Sequence, residues 1–372
     1  MCENRRRRGM ENFTGSPRRK FTLPPAELAD SNHGMSAKIV LKPKVQLGVV
    51  TTHFRFVGGI VPDENGKFPR DADGKLKVIS EMTRLVEISP VVMSIVQIPF
   101  FASADPAEVD EMIAGLKALG LEIHFIIMVG GANPMNPADE DAVVSQLVTS
   151  LRAAIRHGVK HVSSTSIEEW MSTDSRRDGE DFQRAIDQNV KVHLRVYREA
   201  GVEGSCIENW HIEFLRPGEF KTFTNVDRGW AFVKAANLAL GKKFFKLLVD
   251  AAHCGDSGLS IAENQELITR IAAAGEFGVF HASAKTTRGC LSTDDGWISA
   301  LLTAAAKTGE LKHVFVEVFD HEDAALELVR KLDSGHGVDT RDGRSYMQVT
   351  ADGLGDVARR LNNLAVRGFL KA

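Results

Sequence analysis

After residue 40 the sequence alternates eight times between a short apolar run and a longer segment with helical periodicity. The apolar runs are hydrophobic throughout instead of alternating with polar residues, which is typical of parallel strands covered on both faces. The predicted strands cover residues 45–51, 92–101, 123–129, 160–164, 208–214, 245–249, 279–282 and 313–319. Eight strand–helix units in about 330 residues predict an α/β protein with a single (β/α)8 barrel over residues 41–372.

Capping signals mark where two of the intervening helices begin. Asp105, followed by Pro106 and Glu108, predicts a helix start with a capping box, and Ser260 with Glu263 predicts a second one. Further helices are predicted near residues 180–200, 226–240, 294–307, 324–332 and 354–364. All but the last of these helices directly follow a predicted strand, and the helices near 324–332 and 354–364 together close the chain.

An open, doubly wound sheet is the competing arrangement for alternating strands and helices. That fold usually has a glycine-rich turn directly after its first strand. Here the first predicted strand continues into THFRF, which contains no glycine. The sequence therefore favours the closed form, a TIM barrel.

Residues 1–40 differ in character from the rest of the chain. Seven Lys or Arg and two Glu give residues 1–20 a net charge of +5; the whole chain carries −3, which leaves −8 for the remainder. The segment has no apolar stretch of the secretory type, while an organellar presequence or a nucleic-acid-binding arm stay open as alternatives. We expect a flexible, disordered basic extension.

The remaining composition argues against several classes of protein. The acidic body lacks the basic footprint that duplex binding needs, so no nucleic-acid partner is expected. Apolar stretches such as Val91–Ala102 are too short and too interrupted to span a bilayer, so no membrane partner is expected either. Four cysteines without a CxxC pair argue against a disulfide scaffold and favour a reducing, cytoplasmic compartment.

Four potential metal ligands stand at or just after the ends of the last four predicted strands. They are Glu213, Asp250, His281 and Glu317, separated by 37, 31 and 36 residues, or about one strand–helix unit each. Because the carboxyl ends of barrel strands converge on one face, residues one unit apart become neighbours. Three carboxylates placed together would repel one another without a cation. The set therefore predicts one divalent metal ion, such as Mn²⁺, Mg²⁺, Co²⁺ or Zn²⁺.

Each of these residues has an ordinary explanation when it is taken alone. A single glutamate at a strand end is usually solvated, and a single histidine such as His281 more often belongs to a core. Acidic residues within segments as apolar as LLVD and FVEVF fit this explanation poorly, because burying an unpaired carboxylate costs several kcal/mol. Their joint occurrence in register favours a metal site.

The segment 208–317 resembles the xylose isomerase-like barrel superfamily, and its motifs are most similar to those of ketose 3-epimerases and hydroxypyruvate isomerases. Those enzymes end strands five to eight with Glu, Asp, His and Glu around one divalent metal. They also carry a second Glu six residues after the first, which matches Glu219 in EFLRPGE, and a DxxH that matches His253 in DAAH. An Arg after the strand-seven His matches Arg288 in HASAKTTR, one position later than usual. The amino-terminal half shares with these enzymes only the alternation of strands and helices.

The resemblance implies a metal-dependent isomerase or epimerase of carbohydrate metabolism acting on a sugar or hydroxy-keto acid, with Mn²⁺ as the first choice of metal. Glu213 and Glu317 would move a proton at the carbon beside the carbonyl, through an enediolate stabilised by the metal. Asp250 and His281 would serve as ligands only. Substrate hydroxyls would be bound by Glu219, His253 and Arg288. A homo-dimer or homo-tetramer is compatible with this resemblance.

Two other functions share parts of this pattern. An inosose-type dehydratase would use the same metal site and the same proton abstraction, but would expel water. An abasic-site endonuclease has the same barrel, yet it needs three zinc ions, more histidines and a basic groove. Near the predicted site the sequence offers only His211, His253 and His281, and its body is acidic. The dehydratase stays open, and the endonuclease is disfavoured.

Overall fold

The computed structural model describes residues 37–51, 60–284, 296–318, 327, 331 and 343–371. Eight parallel strands pair in sequence order, and the last pairs again with the first, so the sheet closes into a barrel. The strands are β1 (Gln46–Val50), β2 (Ile95–Phe100), β3 (Glu122–Ile127), β4 (His161–Ser164), β5 (Asn209–Glu213), β6 (Phe245–Asp250), β7 (Phe277–Ala282) and β8 (His313–Val316). The predicted (β/α)8 barrel is confirmed, and the doubly wound sheet is excluded.

Helices surround the barrel and connect its strands. Within the described residues they are α1 (Lys77–Ile88), α2 (Pro106–Ala118), α3 (Glu140–His157), α4 (Gly179–Glu199), α5 (Val226–Leu240), α6 (Ala251–Asp256), α7 (Ile261–Ala273), α8 (Trp297–Thr308) and α9 (Tyr346–Val366). The short helix α6, which begins directly at the end of β6, was not predicted. None of the helices in the described part of the chain is long and apolar enough to cross a membrane.

The hydrophobic core has two parts. The larger part lies between strands and helices, whereas a smaller cluster consists of Val50, Ile95, Leu248, Val279 and Phe315. Members of the smaller cluster come from five different strands, as expected for side chains that fill the inside of a barrel. Successive residues of a strand point to opposite faces, so the residues two positions after Leu248 and Phe315 also point inward, at the carboxyl end. Those two residues are carboxylates.

One of the two predicted capping boxes is present, and the other is wrong. At the start of α7 the Ser260 hydroxyl accepts from the Glu263 N–H, and the Glu263 carboxylate accepts from the Ser260 N–H at 2.7 Å. At the start of α2, Asp105 does cap the helix by accepting from the Ala107 N–H. The side chain of Glu108 turns away instead and pairs with Arg70 at 2.9 Å. A charged partner from the segment before α1 therefore displaces the reciprocal bond.

Two predictions about the fold lie largely outside the described residues. The flexible basic extension concerns residues 1–40, of which 1–36 are not described. Residues 37–40 are described, and there the Ile39 N–H donates to the Pro90 carbonyl at 2.6 Å, so these four residues are held against the barrel. The helix predicted near 324–332 falls in a segment where only residues 327 and 331 are described.

Candidate metal centre

The four predicted metal ligands meet at the carboxyl end of the barrel. Glu213 and Asp250 are the last residues of β5 and β6, while Glu317 directly follows β8. His281 pairs in register with Asp250, which places the two side by side on neighbouring strands. One ligand atom from each of the four residues lies within 4.8 Å of all the others, and all four residues are buried. We call this group the carboxylate quartet.

His281 stands at the centre of the carboxylate quartet. Its Nδ1 lies 3.3 Å from a Glu317 oxygen, 3.6 Å from a Glu213 oxygen and 3.9 Å from an Asp250 oxygen. Burial alone would lower the pKa of His281, but the negative charges of Glu317 and Glu213 outweigh it and raise that pKa to about 10. Neither ring nitrogen makes a hydrogen bond to any described residue. The surroundings of this imidazole therefore favour a positively charged group at this position.

A divalent cation fits this donor set. Even with His281 protonated, three carboxylates and one imidazolium would leave a net charge of −2 in a buried space, which is unfavourable. Three carboxylate oxygens and one imidazole nitrogen form a mixed oxygen and nitrogen set of the kind that Mn²⁺, Mg²⁺, Co²⁺ or Zn²⁺ accept. The unbonded nitrogens of His281 and the surplus of negative charge both favour such an ion.

His253 links two members of the carboxylate quartet. Its backbone N–H donates to the Asp250 carboxylate at 2.7 Å, which caps helix α6. Its Nδ1 accepts from the Arg216 N–H at 3.2 Å, so the ring proton resides on Nε2, and Nε2 lies 3.6 Å from Glu213. The structure thus places His253 where it orients both Asp250 and Glu213, beside the metal ligands.

Glu219 belongs to a second buried group in the loop that follows β5. Its carboxylate lies 3.4 Å from Arg216 Nε and accepts from Trp170 Nε1 at 3.3 Å. Arg216 also pairs with Asp256 at 3.2 Å, at the end of α6. The loop after β5 is therefore tied both to the loop after β4 and to α6. Sequence reasoning found Glu219 and missed Arg216 and Trp170.

Glu168, in the loop after β4, also holds the loop that follows β5, and sequence reasoning missed it. This buried carboxylate accepts from the backbone N–H groups of Lys221, Thr222 and Phe223 at 2.8 to 3.0 Å. Burial raises the pKa of Glu168, although these N–H groups act in the opposite direction. The one signal in the sequence was an acidic residue in the segment SIEEW, which did not distinguish Glu168 from Glu169.

A cleft of about 540 Å³ opens on the same face of the barrel. Its walls come from the ends of β2 and β3 and from the loop after β4, and include Phe100, Phe101 and Trp170. Trp170 is the residue that donates to Glu219, so it connects the cleft with the loop after β5. Clefts of this size that combine aromatic walls with a few polar groups are typical of small-molecule sites.

The structure brings most of the predicted site residues together. The carboxylate quartet forms one cluster, and His253 contacts it. Glu219 lies further away and is connected to His253 through Arg216. Arg288, the third predicted substrate-binding residue, lies outside the described residues.

No protein-family model and no curated protein matches the sequence, whereas many solved structures do. A structure of L-ribulose 3-epimerase has a TM-score of 0.66 at 14% identity, covering 87% of this chain and 97% of that one. D-allulose 3-epimerase from Methylomonas sp. has a TM-score of 0.64 at 15% identity, covering 86% and 99%. The chain has the xylose isomerase-like fold. A xylose isomerase-like TIM barrel protein from Mycobacterium smegmatis, in complex with magnesium, has a TM-score of 0.54 at 11% identity, covering 86% and 97%.

These alignments span nearly the whole barrel, whereas the sequence motifs covered only its carboxyl-terminal half. The likeness at 11 to 15% identity is one of fold. It agrees with the resemblance inferred from residues 208–317 and extends it to the first four strands.

Proposed function

We propose that this chain is a divalent-metal-dependent isomerase or epimerase that acts on a sugar or a hydroxy-keto acid by proton transfer. The observation that carries the proposal is the carboxylate quartet, buried at the carboxyl face of a barrel whose fold is that of the 3-epimerases. Active sites of TIM barrels lie at this face.

The metal would be held by all four members of the carboxylate quartet, with Mn²⁺ as the first candidate and Mg²⁺, Co²⁺ and Zn²⁺ as alternatives. When bound there, a divalent ion supplies Lewis acidity that makes the proton beside a substrate carbonyl more acidic. Asp250 is fully buried and fixed by the His253 N–H, so its role is confined to holding the ion. His281 supplies the one nitrogen.

Glu213 and Glu317 are the proposed acid and base. They come from β5 and β8, which are separated by two strands, so their carboxylates approach the site from different directions. One would remove the proton from the carbon beside the carbonyl, and the other would return a proton to that carbon or its neighbour. The Nε2–H of His253 faces Glu213 and would stabilise its charged form.

Glu219, His253 and Arg288 are proposed to bind substrate hydroxyls. Glu219 is held between Arg216 and Trp170, and Trp170 also lines the aromatic cleft, which supports a substrate lying between the cleft and the carboxylate quartet. The structural neighbours include a complex of D-allulose 3-epimerase with D-allulose and a D-psicose 3-epimerase in the presence of D-fructose, so ketoses are the first substrates to test. We also propose that the protein is a homo-dimer or homo-tetramer, that it resides in the cytoplasm and that it has no nucleic-acid partner.

The test is an activity screen by NMR in D₂O. Chelator-treated protein and protein reloaded with Mn²⁺ are incubated with ketoses, inososes and hydroxypyruvate, with Asp250→Asn as a variant that weakens metal binding. Inversion or carbonyl migration that depends on metal supports the proposal. Loss of water from an inosose would instead identify the dehydratase that shares this chemistry. Fully metal-loaded protein that converts none of these compounds would overturn the proposal.

A further inference from the structure

Three histidines lie together at the opposite end of the barrel from the carboxylate quartet. His161 and His313 are the first residues of β4 and β8, and His124 is the third residue of β3. The distances between their ring centroids are 4.7 Å for His124 and His161, 4.9 Å for His124 and His313, and 4.6 Å for His161 and His313. The three rings thus form a nearly equilateral triangle, which we call the histidine triangle.

The imidazoles of the histidine triangle lack the hydrogen bonds that buried histidines normally make. His124 is fully buried, and neither of its ring nitrogens has a hydrogen-bond partner among the described residues; the same holds for Nδ1 of His161. His193 offers a contrast, because both of its nitrogens are satisfied, by Ser166 and by the Asn189 carbonyl at 2.8 Å each. Buried nitrogens without hydrogen-bond partners are unfavourable, so a ligand bound to these imidazoles would stabilise them.

The three imidazoles are in the state that a metal requires. Burial, with help from neighbouring histidines, lowers the pKa of His124 well below its usual value. Burial also lowers the pKa of His161, and it lowers that of His313 to about 3. Each neutral ring keeps one lone pair for a metal ion. The triangle contains no carboxylate, so its donors suit a borderline transition metal better than Mg²⁺ or Ca²⁺.

Phe315 separates the histidine triangle from the carboxylate quartet. Its ring is 5.1 Å from that of His124 and 6.0 Å from that of His281, so it stands between the two groups inside the barrel. His161 is buried but His313 is partly exposed, which leaves the triangle within reach of solvent at the amino-terminal end of the barrel. The triangle is therefore a separate group with its own access.

We propose that His124, His161 and His313 form a second metal site that binds one Zn²⁺ ion, with water as the fourth ligand. One nitrogen from each histidine lies within 4.8 Å of the others. Zn–N bonds of about 2.0–2.1 Å in tetrahedral geometry place the nitrogens about 3.3 Å apart, so each moves by about 1 Å at most. The bound ion would tie β3, β4 and β8 together across the barrel and stabilise its amino-terminal end.

A fourth histidine, His211, lies next to the histidine triangle. His211 lies 5.7 Å from His161, measured between ring centroids, and its Nδ1 has no partner among the described residues. Gly278 on β7 makes room for it, because a Cβ at that position would lie 2.5 Å from the His211 ring. His211 therefore packs beside His161, at the edge of the histidine triangle.

The experiment uses full-length, tag-free protein carrying Glu213→Gln and Asp250→Asn, so that the carboxylate quartet no longer dominates metal binding. After chelator treatment it is titrated with Co²⁺, whose visible absorption reports tetrahedral coordination, and then with Zn²⁺. We expect one tetrahedral Co²⁺ per chain that Zn²⁺ displaces. Adding His161→Gln and His313→Gln should abolish the tetrahedral absorption because only one imidazole ligand remains, whereas adding His193→Gln should leave it unchanged. Circular dichroism checks that each variant is folded.

Two results would overturn the proposal. One is that the folded protein with Glu213→Gln and Asp250→Asn binds no Co²⁺ or Zn²⁺, and the other is that His161→Gln with His313→Gln leaves the absorption unchanged. X-ray absorption on the zinc-loaded protein with Glu213→Gln and Asp250→Asn covers the case in which the histidine variants do not fold. It should count three imidazole nitrogens at about 2.0–2.1 Å, and one or none would contradict the site.

Discussion

Glu168→Gln tests whether one buried carboxylate fixes the loop that carries Glu219. Glu168 accepts from the Lys221 and Thr222 N–H groups through one oxygen, and from the Thr222 and Phe223 N–H groups through the other. A glutamine keeps one accepting oxygen, but its NH₂ group must face N–H donors that it cannot satisfy. The substitution is nearly isosteric, so any loss reflects these hydrogen bonds and the charge.

The magnitude follows from those contacts. Hydrogen bonds to a charged group contribute about 1.5–3 kcal/mol each, and a buried donor left unsatisfied costs about 1–3 kcal/mol. Because at least the Phe223 N–H or the Lys221 N–H loses its acceptor, we expect the free energy of unfolding to fall by about 2–4 kcal/mol. The KM for substrate should also rise, because the segment after Glu219 loses its anchor.

Urea unfolding of Glu168→Gln is compared with that of the wild type and of Glu169→Gln. Glu169 is the adjacent, partly exposed glutamate, so its substitution should change the free energy of unfolding by no more than about 0.5 kcal/mol. If Glu168→Gln matched this control, the loop would not depend on the Glu168 carboxylate, and the reasoning would be refuted.

Three further predictions concern metal, pH and the amino-terminal segment. Saturating Mn²⁺ at 100 times its Kd should raise the free energy of unfolding by about 2.7 kcal/mol relative to protein in EDTA, and an unchanged melting temperature would contradict a metal site. Burial lowers the pKa of His193 to about 4, so the contribution of this residue to stability is complete above its unfolded pKa of about 6.5 and is lost as the pH falls towards 4. Urea unfolding should therefore show about 2 kcal/mol less stability at pH 5 than at pH 7 from this residue. His193→Gln should lack that part of the pH dependence. A chain that starts at Ala37 should keep its circular dichroism and its metal stoichiometry, because residues 1–36 show no hydrophobic periodicity, and aggregation or loss of metal would contradict this.

The barrel and the carboxylate quartet were predictable because both follow from regular spacing. Continuous apolar strands separated by helices specify a parallel sheet with covered faces, and the closed barrel brings strand ends together in a known order. Glu213, Asp250, His281 and Glu317 could therefore be grouped from their intervals alone. The observed bounds of α5, Val226–Leu240, also agree with the helix predicted near 226–240.

The contacts that support the site were not predictable in this way. Glu168 and Arg216 act through backbone groups and side chains of loops, whose paths no periodicity in the sequence describes. Glu108 reads as a capping residue until the loop that carries Arg70 is placed against it. The histidine triangle was missed because its members occur at the starts of strands, and His124 taken alone is explained by packing.

The most direct measurement of the proposed chemistry compares proton removal by wild-type and Glu317→Gln protein at equal, complete Mn²⁺ occupancy. The substrate is whichever compound the NMR screen finds, occupancy is verified by elemental analysis, and Glu310→Gln, an exposed glutamate just before β8, serves as the matched control. If Glu317 transfers the proton, its variant should be slower by about 10²–10⁴-fold although the metal is fully bound, and the control should match the wild type. A Glu317→Gln protein that is fully loaded and close to the wild-type rate would contradict the acid–base role and leave Glu317 as a metal ligand only.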